Sequence, residues 1–429
     1  MHTFRFPVKA RPCVPALLLA SLLWGALQPA GAQTLTLDTA IARALDRNPD
    51  IAAAGREQQA TEGALLQAGL RPNPELAALE EDMRRGRRTS TLQLTQPLEL
   101  GGKREARTAA AGLARDQAAW AVQQARADVR AAVIVQFVDL LAAQERLRLA
   151  ADSIALAENA TRAAGRRVEA GKVSPVEQTR AQVAEAAVRV EALQAEGAVR
   201  AARQRLAALW GDAPAAATRA AAAGRLALPP EALALAALDD RLADAPLLAQ
   251  ARIELDRRRA LVRVETAATV PNLAVTVGAK RLQEAGVTQA VLGFSVPLPV
   301  FDRNQGNLAE ALRREDKAQD QLAAAVLRLS TDVAQAQERL RSARAEAETL
   351  QRDALPGARL AFDAASQGFA LGKFSFLEAL DAQRTWFQVQ AQAQRALADS
   401  LRAAAEIERL LGIASDTSGL SPVLLSVPR

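Results

Sequence analysis

The sequence predicts a mainly helical chain with a small β part, built from two similar halves and unable to close its own sheet. Three observations carry that reading. Four short motifs recur in one order about 200 residues apart, long helical stretches carry apolar residues every seven positions, and two pairs of roughly ten-residue segments flank charged tips.

The recurrence is specific. Asn48-Pro49 answers to Ala245-Pro246, Pro72-Asn73 to Pro271-Asn272, and Gln96-Pro97-Leu98 to Val296-Pro297-Leu298. GKVSPVEQTRAQ, Gly171 to Gln182, answers to GKFSFLEALDAQ, Gly372 to Gln383. Offsets of 197 to 201 residues predict an internal structural duplication. The first repeat is placed at 33–210 and the second at 239–412. An irregular Ala/Pro-rich linker joins them over 211–238, and a flexible tail with Ser and Pro covers 413–429.

Within each repeat the expected order is helix, strand pair, very long helix, tight turn, long helix. The first helix runs from Pro49 to about Leu70 and stops at Pro72-Asn73-Pro74, because proline denies its predecessor the helical region. Strands follow at Glu75 to Met83 and Thr89 to Leu98 around the tip EDMRRGRR. Their counterparts are Leu273 to Arg281 and Gln289 to Leu298 around KRLQEAG. Alternation is clear at Leu273, Val275, Val277 and Ala279 and at Leu292, Phe294, Val296 and Leu298, the period of a strand with two unlike faces. It is weaker at Leu92 and Leu94 and poorest in the first segment.

Long helical hairpins are expected over 103–210 and 306–412. From Lys103 to about Ala164 there is no proline, which gives a rod of roughly 90 Å at 1.5 Å per residue. Val133, Leu140, Leu147 and Ile154 recur every seven residues, as do Val176, Val183 and Val190, and Val326, Val333 and Leu340. Heptads separated by small and polar residues predict coiled-coil packing. Each hairpin turns at a glycine followed by a capping-box pattern, Ser174 to Glu177 and Ser375 to Glu378, with Pro175 at a position where a missing N–H costs nothing.

Composition narrows the function. The only His is His2 and the only Cys is Cys13, and both lie in residues 1–32. That segment reads as a cleavable secretory signal: Arg5, Lys9 and Arg11, an apolar run from Val14 to Leu27, then Ala30-Gly31-Ala32. Without it, a thiol nucleophile, a Ser-His-Asp triad, a haem and an ordinary zinc site all lack their side chains. No enzyme, cofactor or bound metal is expected. No Cys follows Ala32, so lipid attachment there is not expected either. Removing residues 1–32 leaves 51 Lys+Arg against 48 Asp+Glu, too near balance and too poor in aromatics for nucleic-acid binding.

Beyond the signal no apolar stretch is long enough for a membrane helix, so a membrane crossing has to be made by strands. Four strands leave two open edges, and hydrocarbon tolerates none. Three chains with twelve strands are the simplest symmetric closure with a pore, and twelve long helices then extend below it as a tube. With no Tyr in the chain, Phe294 and Phe301 are the candidates for an interfacial aromatic belt.

The signal, the duplicated helix, hairpin, helix, helix plan and the tip motifs resemble the TolC-like outer membrane factors over essentially the whole mature chain. Within that family, QPLELGGKREAR (Gln96 to Arg107) and VPLPVFDRNQGNLAEA (Val296 to Ala311) are similar to the CzcC-type branch of heavy-metal efflux systems. The resemblance implies a homotrimeric duct, with a β-barrel in outer membrane lipid and a periplasmic α-helical barrel. It also implies docking onto a periplasmic adaptor (membrane fusion protein) and an inner-membrane resistance-nodulation-division (RND) transporter.

Glu378 and Asp381, at i and i+3 on one helix face, are the candidate aperture carboxylates. Three copies would form acidic rings, as similar positions do in the family. Glu177 and Arg180 stand at the matching positions of the first repeat, where Arg180 is a candidate latch to a neighbouring chain's acid. The alternative is that Glu378 merely caps its helix while Asp381 and Arg180 are solvated charges. Gly171, Lys172, Val173 and Ser174 with Gly372, Lys373, Phe374 and Ser375 are the candidate adaptor-docking tips, although glycines also simply end helices. Oxygen donors are the only cation ligands available, which suits a pore that releases divalent metals. Multidrug efflux is the competing cargo. A soluble periplasmic coiled-coil adaptor or scaffold and a carboxylate hydrolase are the competing classes.

Overall fold

A computed structural model describes residues 34–212, 221–230 and 241–412. The expected signal, tail and parts of the linker lie outside the described residues. The described residues are mostly helical, with one four-stranded sheet and one short two-stranded pair. The elements are β1 (Thr34–Leu35), α1 (Leu37–Arg47), α2 (Pro49–Ala68), β2 (Glu75–Glu81), β3 (Thr89–Leu98), α3 (Lys103–Glu169) and α4 (Pro175–Ala208). They continue with β4 (Ala221–Ala222), α5 (Pro246–Ala268), β5 (Leu273–Leu282), β6 (Val287–Ser295), α6 (Gln305–Thr349), a π segment (Leu350–Ala354), α7 (Leu355–Ala370) and α8 (Phe376–Leu411).

Local chemistry sets the boundaries. Thr36 and Thr39 exchange bonds between side chain and backbone at the start of α1. The α1 helix precedes the first helix expected from the sequence, which α2 supplies. Asn48 separates the two: its Oδ1 accepts from the backbone N–H groups of Asp50 and Ile51, while its Nδ2 donates to the Leu209 carbonyl. This buried side chain therefore has both ends paired. Entering α3, Gly101 and Gly102 take φ +73°; at the matching turn into α6, Asn304 takes φ +60°, a conformation that asparagine tolerates.

β2, β3, β5 and β6 form one antiparallel sheet in that order, so β2 and β6 are its open edges. The last strand differs from expectation. It spans Val287–Ser295 rather than Gln289 to Leu298, since Pro297 and Pro299 lack the N–H a ladder needs.

The helices repeat the order of the strands they join. Next to the sheet, α2, α3, α5 and α6 lie side by side; farther away, α4 takes the place of α2 and α8 that of α5. The long helices form one layer four across, with α1 packed against α3 near its middle. α3 alone has 67 residues, about 100 Å. Pro356 falls inside the other long rod, where the π segment just before it absorbs the lost hydrogen bond and lets α6 continue into α7.

The main core lies mid-rod, where Leu37 of α1, Ile134, Phe137 and Leu140 of α3, Leu206 of α4 and Leu401 of α8 meet. A second core joins Leu329, Val333 and Leu340 of α6 to Ile407 and Leu410 of α8. Arg43 bonds Asp212 at 2.7 Å and stacks over Trp210, whose indole N–H donates to the same carboxylate. This ties α1 to the end of α4.

Two further expectations are refined. The linker is not wholly irregular, because β4 pairs in parallel with β1. The valine heptad of α4 does not pack within the chain: Val176, Val183 and Val190 are exposed, Val183 by 64%. The face turned inward is alanine-rich, with Ala181, Ala184, Ala192 and Ala195. Small residues let α3 and α4 approach closely and leave the larger apolar stripe on the open edge of the array. Val326 is likewise exposed, whereas Val333 and Leu340 are buried.

Candidate conduit site: the sheet faces and the helix-hairpin tips

Strand register sorts the sheet into two unlike faces. Leu76, Leu94, Val277 and Leu292 share one cross-strand row, and Ala78, Leu92, Ala279 and Ala290 the next. Gln96, Val275 and Phe294 form a third row on the same side. The face is apolar yet uncovered, with Leu76, Leu292 and Phe294 each 68% exposed. The opposite face carries Thr91, Gln93, Thr95, Thr276 and Lys280. There the Thr95 and Thr276 hydroxyls bond at 2.9 Å and Lys280 meets Glu81 at 3.3 Å. Phe294 lies on the apolar face, whereas Phe301 projects from the loop after β6. The pattern in β2 escaped sequence reading because Leu76 gains meaning only from its partners across the sheet.

Gly278 holds the polar face together. A Cβ there would lie 2.5 Å from the Leu92 carbonyl oxygen and 2.9 Å from the Gln93 Cα, so β3 and β5 pair at this point only around a hydrogen atom.

At the far end of the rods the two hairpin turns share a geometry. Gly171 and Gly372 take φ +69° and +73°. The N–H of Lys172 donates to the Arg167 carbonyl at 2.9 Å and that of Lys373 to the Gly368 carbonyl at 2.8 Å. These bonds close each helix with a left-handed glycine cap. Lys172 and Ser174 are exposed and Val173 half-buried in one turn; Lys373, Phe374 and Ser375 are exposed in the other.

The tips are joined by a residue that motif reading passed over. The Arg167 guanidinium donates to the Phe369 carbonyl and stacks 4.2 Å from its ring. Phe369 meets Phe376 edge to face at 6.0 Å, and Phe376 is buried against Ala164 and Ala181. Phe374 lies over Gly368, leaving no space there for a Cβ. A groove of about 530 Å³ beside this cluster is lined by Arg166, Arg167, Lys172, Phe362 and Phe369 among others.

The two capping patterns behave differently. At Ser375 the box is complete: its N–H donates to Glu378 Oε2 at 2.7 Å and its Oγ accepts from the Glu378 N–H at 3.3 Å. The Ser375 N–H, then its hydroxyl, hold the Glu378 carboxyl below the usual carboxylate range. At Ser174 the expected box is not formed. Its Oγ takes the nearer Val176 N–H at 3.3 Å, and half-buried Glu177 does not reach back.

Asp381 and Arg180 are both exposed, and neither has an ion-pair partner among the described residues. The structure therefore groups Glu378 with Ser375 but brings Arg180 to no acid among the described residues. Among the described residues no cluster of His, Cys, Asp or Glu suits a metal ion, and no helix is long and apolar enough to cross a membrane.

Comparison with known proteins fits this arrangement. The chain is 46% identical to the cobalt-zinc-cadmium resistance protein CzcC of Cupriavidus metallidurans over 88% of its own length and 90% of that protein. It is 26% identical to the nickel-cobalt-cadmium resistance protein NccC of Alcaligenes xylosoxydans xylosoxydans over 73% and 72% of the two chains. The solved structure of the outer-membrane channel OprN has the same fold, with a TM-score of 0.77 at 20% identity over 88% of this chain and 89% of that one. The outer membrane efflux protein model matches residues 40–212 and 237–413, and the chain belongs to that family.

Proposed function

We propose that three copies of this chain form a passive exit duct for divalent heavy-metal cations, with a twelve-stranded barrel in the outer membrane and a twelve-helix tube in the periplasm. The observation that carries this reading is the sheet: one apolar uncovered face, one polar face, and two unpaired edges, β2 and β6. Lipid cannot satisfy those edges, while a neighbouring copy's opposite edge can. The helical layer supports the same closure, since α2 leads directly into β2 and β6 leads on into α6, and α2 and α6 are the outer helices of the layer next to the sheet. The two similar halves of the sequence fit an internal duplication that supplies two strands and two long helices from each.

The cargo follows from the relatives named for cobalt, zinc, cadmium and nickel resistance. The work of transport belongs to an inner-membrane RND transporter reached through a periplasmic adaptor. The tips Gly171 to Ser174 and Gly372 to Ser375 are the docking end for that adaptor. Export uses the cleavable segment 1–32, without lipidation.

At the aperture, Glu378 caps α8 while keeping its charge. Asp381, one turn further and unpaired, is the stronger contributor to a cation-attracting ring. Arg180 latches the closed state against an acid of the adjacent copy. Single-channel conductance in planar bilayers tests the assignment. Wild type is expected to prefer cations, and Glu378→Ala with Asp381→Ala is expected to lose most of that preference. An unchanged preference removes both residues from the aperture.

A further inference from the structure

The hairpin tips at the opposite end of the sheet from the helices carry a charge pattern that the conduit reading leaves unused. Register continues the apolar face by one more row, Glu80, Ser90, Arg281 and Thr288, directly beyond Ala78, Leu92, Ala279 and Ala290. Arg281 is thus on the lipid side, and the turn from 82 to 88 adds Arg84, Arg85, Arg87 and Arg88, all exposed.

Their pairing is incomplete. Arg88 donates to Glu80 at 2.6 Å, and Ser90 donates to the same oxygen at 2.9 Å. Arg84 to Asp82 at 3.9 Å and Arg87 to Glu284 at 3.8 Å are loose, exposed pairs. Such pairs are worth little in water. Arg85 and Arg281 have no acid within ion-pair distance among the described residues. Lys280 is on the other face and already meets Glu81.

We propose that Arg281 and Arg85, with Arg84 and Arg87 beside them, form a binding site for the phosphate groups of outer-leaflet lipid. The site rests on the outer-membrane barrel reading above. Guanidinium forks match phosphate oxygens bidentately, and basic groups at headgroup level attract anionic lipid. With Arg281 in the row just above the apolar band and the arginines of the 82–88 turn beyond it, acyl chains would lie against Leu92 and Leu292 while the phosphate meets these guanidinium groups. Three copies would present the site three times around the rim.

The test measures equilibrium binding of bisphosphorylated lipid A to the full-length assembly in detergent micelles, with fully dephosphorylated lipid A and inorganic phosphate as separate probes. Wild type is expected to bind lipid A in a salt-sensitive way and the dephosphorylated lipid weakly. Arg85→Ala with Arg281→Ala is expected to lose at least about tenfold in lipid A affinity, with Arg85→Lys and Arg281→Lys retaining part of it. Arg313→Ala, an exposed arginine on α6, serves as the charge control and is expected to match wild type. Equal affinity in wild type and the double alanine variant overturns the proposal, as does equal binding of the dephosphorylated lipid. Inorganic phosphate binding as tightly as lipid A overturns it in favour of a free-anion site. Bilayer conductance measured on the same preparations separates the two readings: conducting protein without lipid A binding sinks only this site, whereas protein that never conducts sinks the barrel itself.

Discussion

At Gly278 the spacing between two strands is set by the absence of a side chain. Gly278→Val would place methyl groups where the Leu92 carbonyl and Gln93 backbone lie, so β3 and β5 must separate. The variant is expected to be exported but to fail to form an assembly that withstands SDS at room temperature; a variant that assembles as wild type would contradict this. Glu408 makes a prediction of a different kind. Burial raises its carboxyl above the usual range, with Arg130 opposing, and Oε2 has no hydrogen-bond partner. Because the folded state binds this proton more tightly than the unfolded chain, stability from this group falls as pH rises from the ordinary value of 4.5 through the raised one. Glu408→Gln is therefore expected to have a higher thermal midpoint than wild type at neutral pH, with the gap closing on acidification, as followed by circular dichroism. Single residues were unevenly legible in the sequence. The Ser-x-x-Glu spacing located the cap at Ser375, yet the same spacing at Ser174 gave no box, since spacing does not decide which N–H the hydroxyl takes. The Arg167 link to Phe369 joins positions about 200 residues apart and left no local signal.

Among the elements, α4 shows what periodicity does and does not say. Its heptad valines were visible in the sequence, but a repeat of seven does not tell whether the stripe packs within a chain or between chains. In the fold they are exposed, and alanines face α3. Val183→Asp with Val190→Asp is accordingly expected to leave a monomer's helical content intact. Its assembly, however, would be weakened by several kcal/mol, the cost of burying carboxylates in an apolar seam. Sedimentation in detergent beside circular dichroism checks both halves of that expectation. The strands were legible where alternation was strong, in β5 and β6. In β2, Leu76 and Ala78 belong to the apolar face only through pairing with Leu94 and Leu92. The rod from α6 to α7 shows a limit of proline as a stop signal: Pro356 is accommodated because five residues of π geometry precede it.

Over the whole molecule, one topology is written twice at different heights. Sheet order β2, β3, β5, β6 is continued by helix order α2, α3, α5, α6, and both layers end in uncovered flanks. The mainly helical class and the strand-and-rod plan could be read from composition, heptads and alternation. What the sequence left hidden was that the flanks of sheet and helices coincide, since that depends on contacts between segments far apart in the chain. In the proposed assembly, coincident flanks form one seam along sheet and rods, so copies that pair their strands would also pair their rods. The central claim is that this seam is filled by further copies of the same chain. It is tested most directly by the mass of the purified particle in detergent, measured by light scattering. Three chains per particle is the expected result, and a stable monomer that stays soluble once detergent is removed would contradict the account.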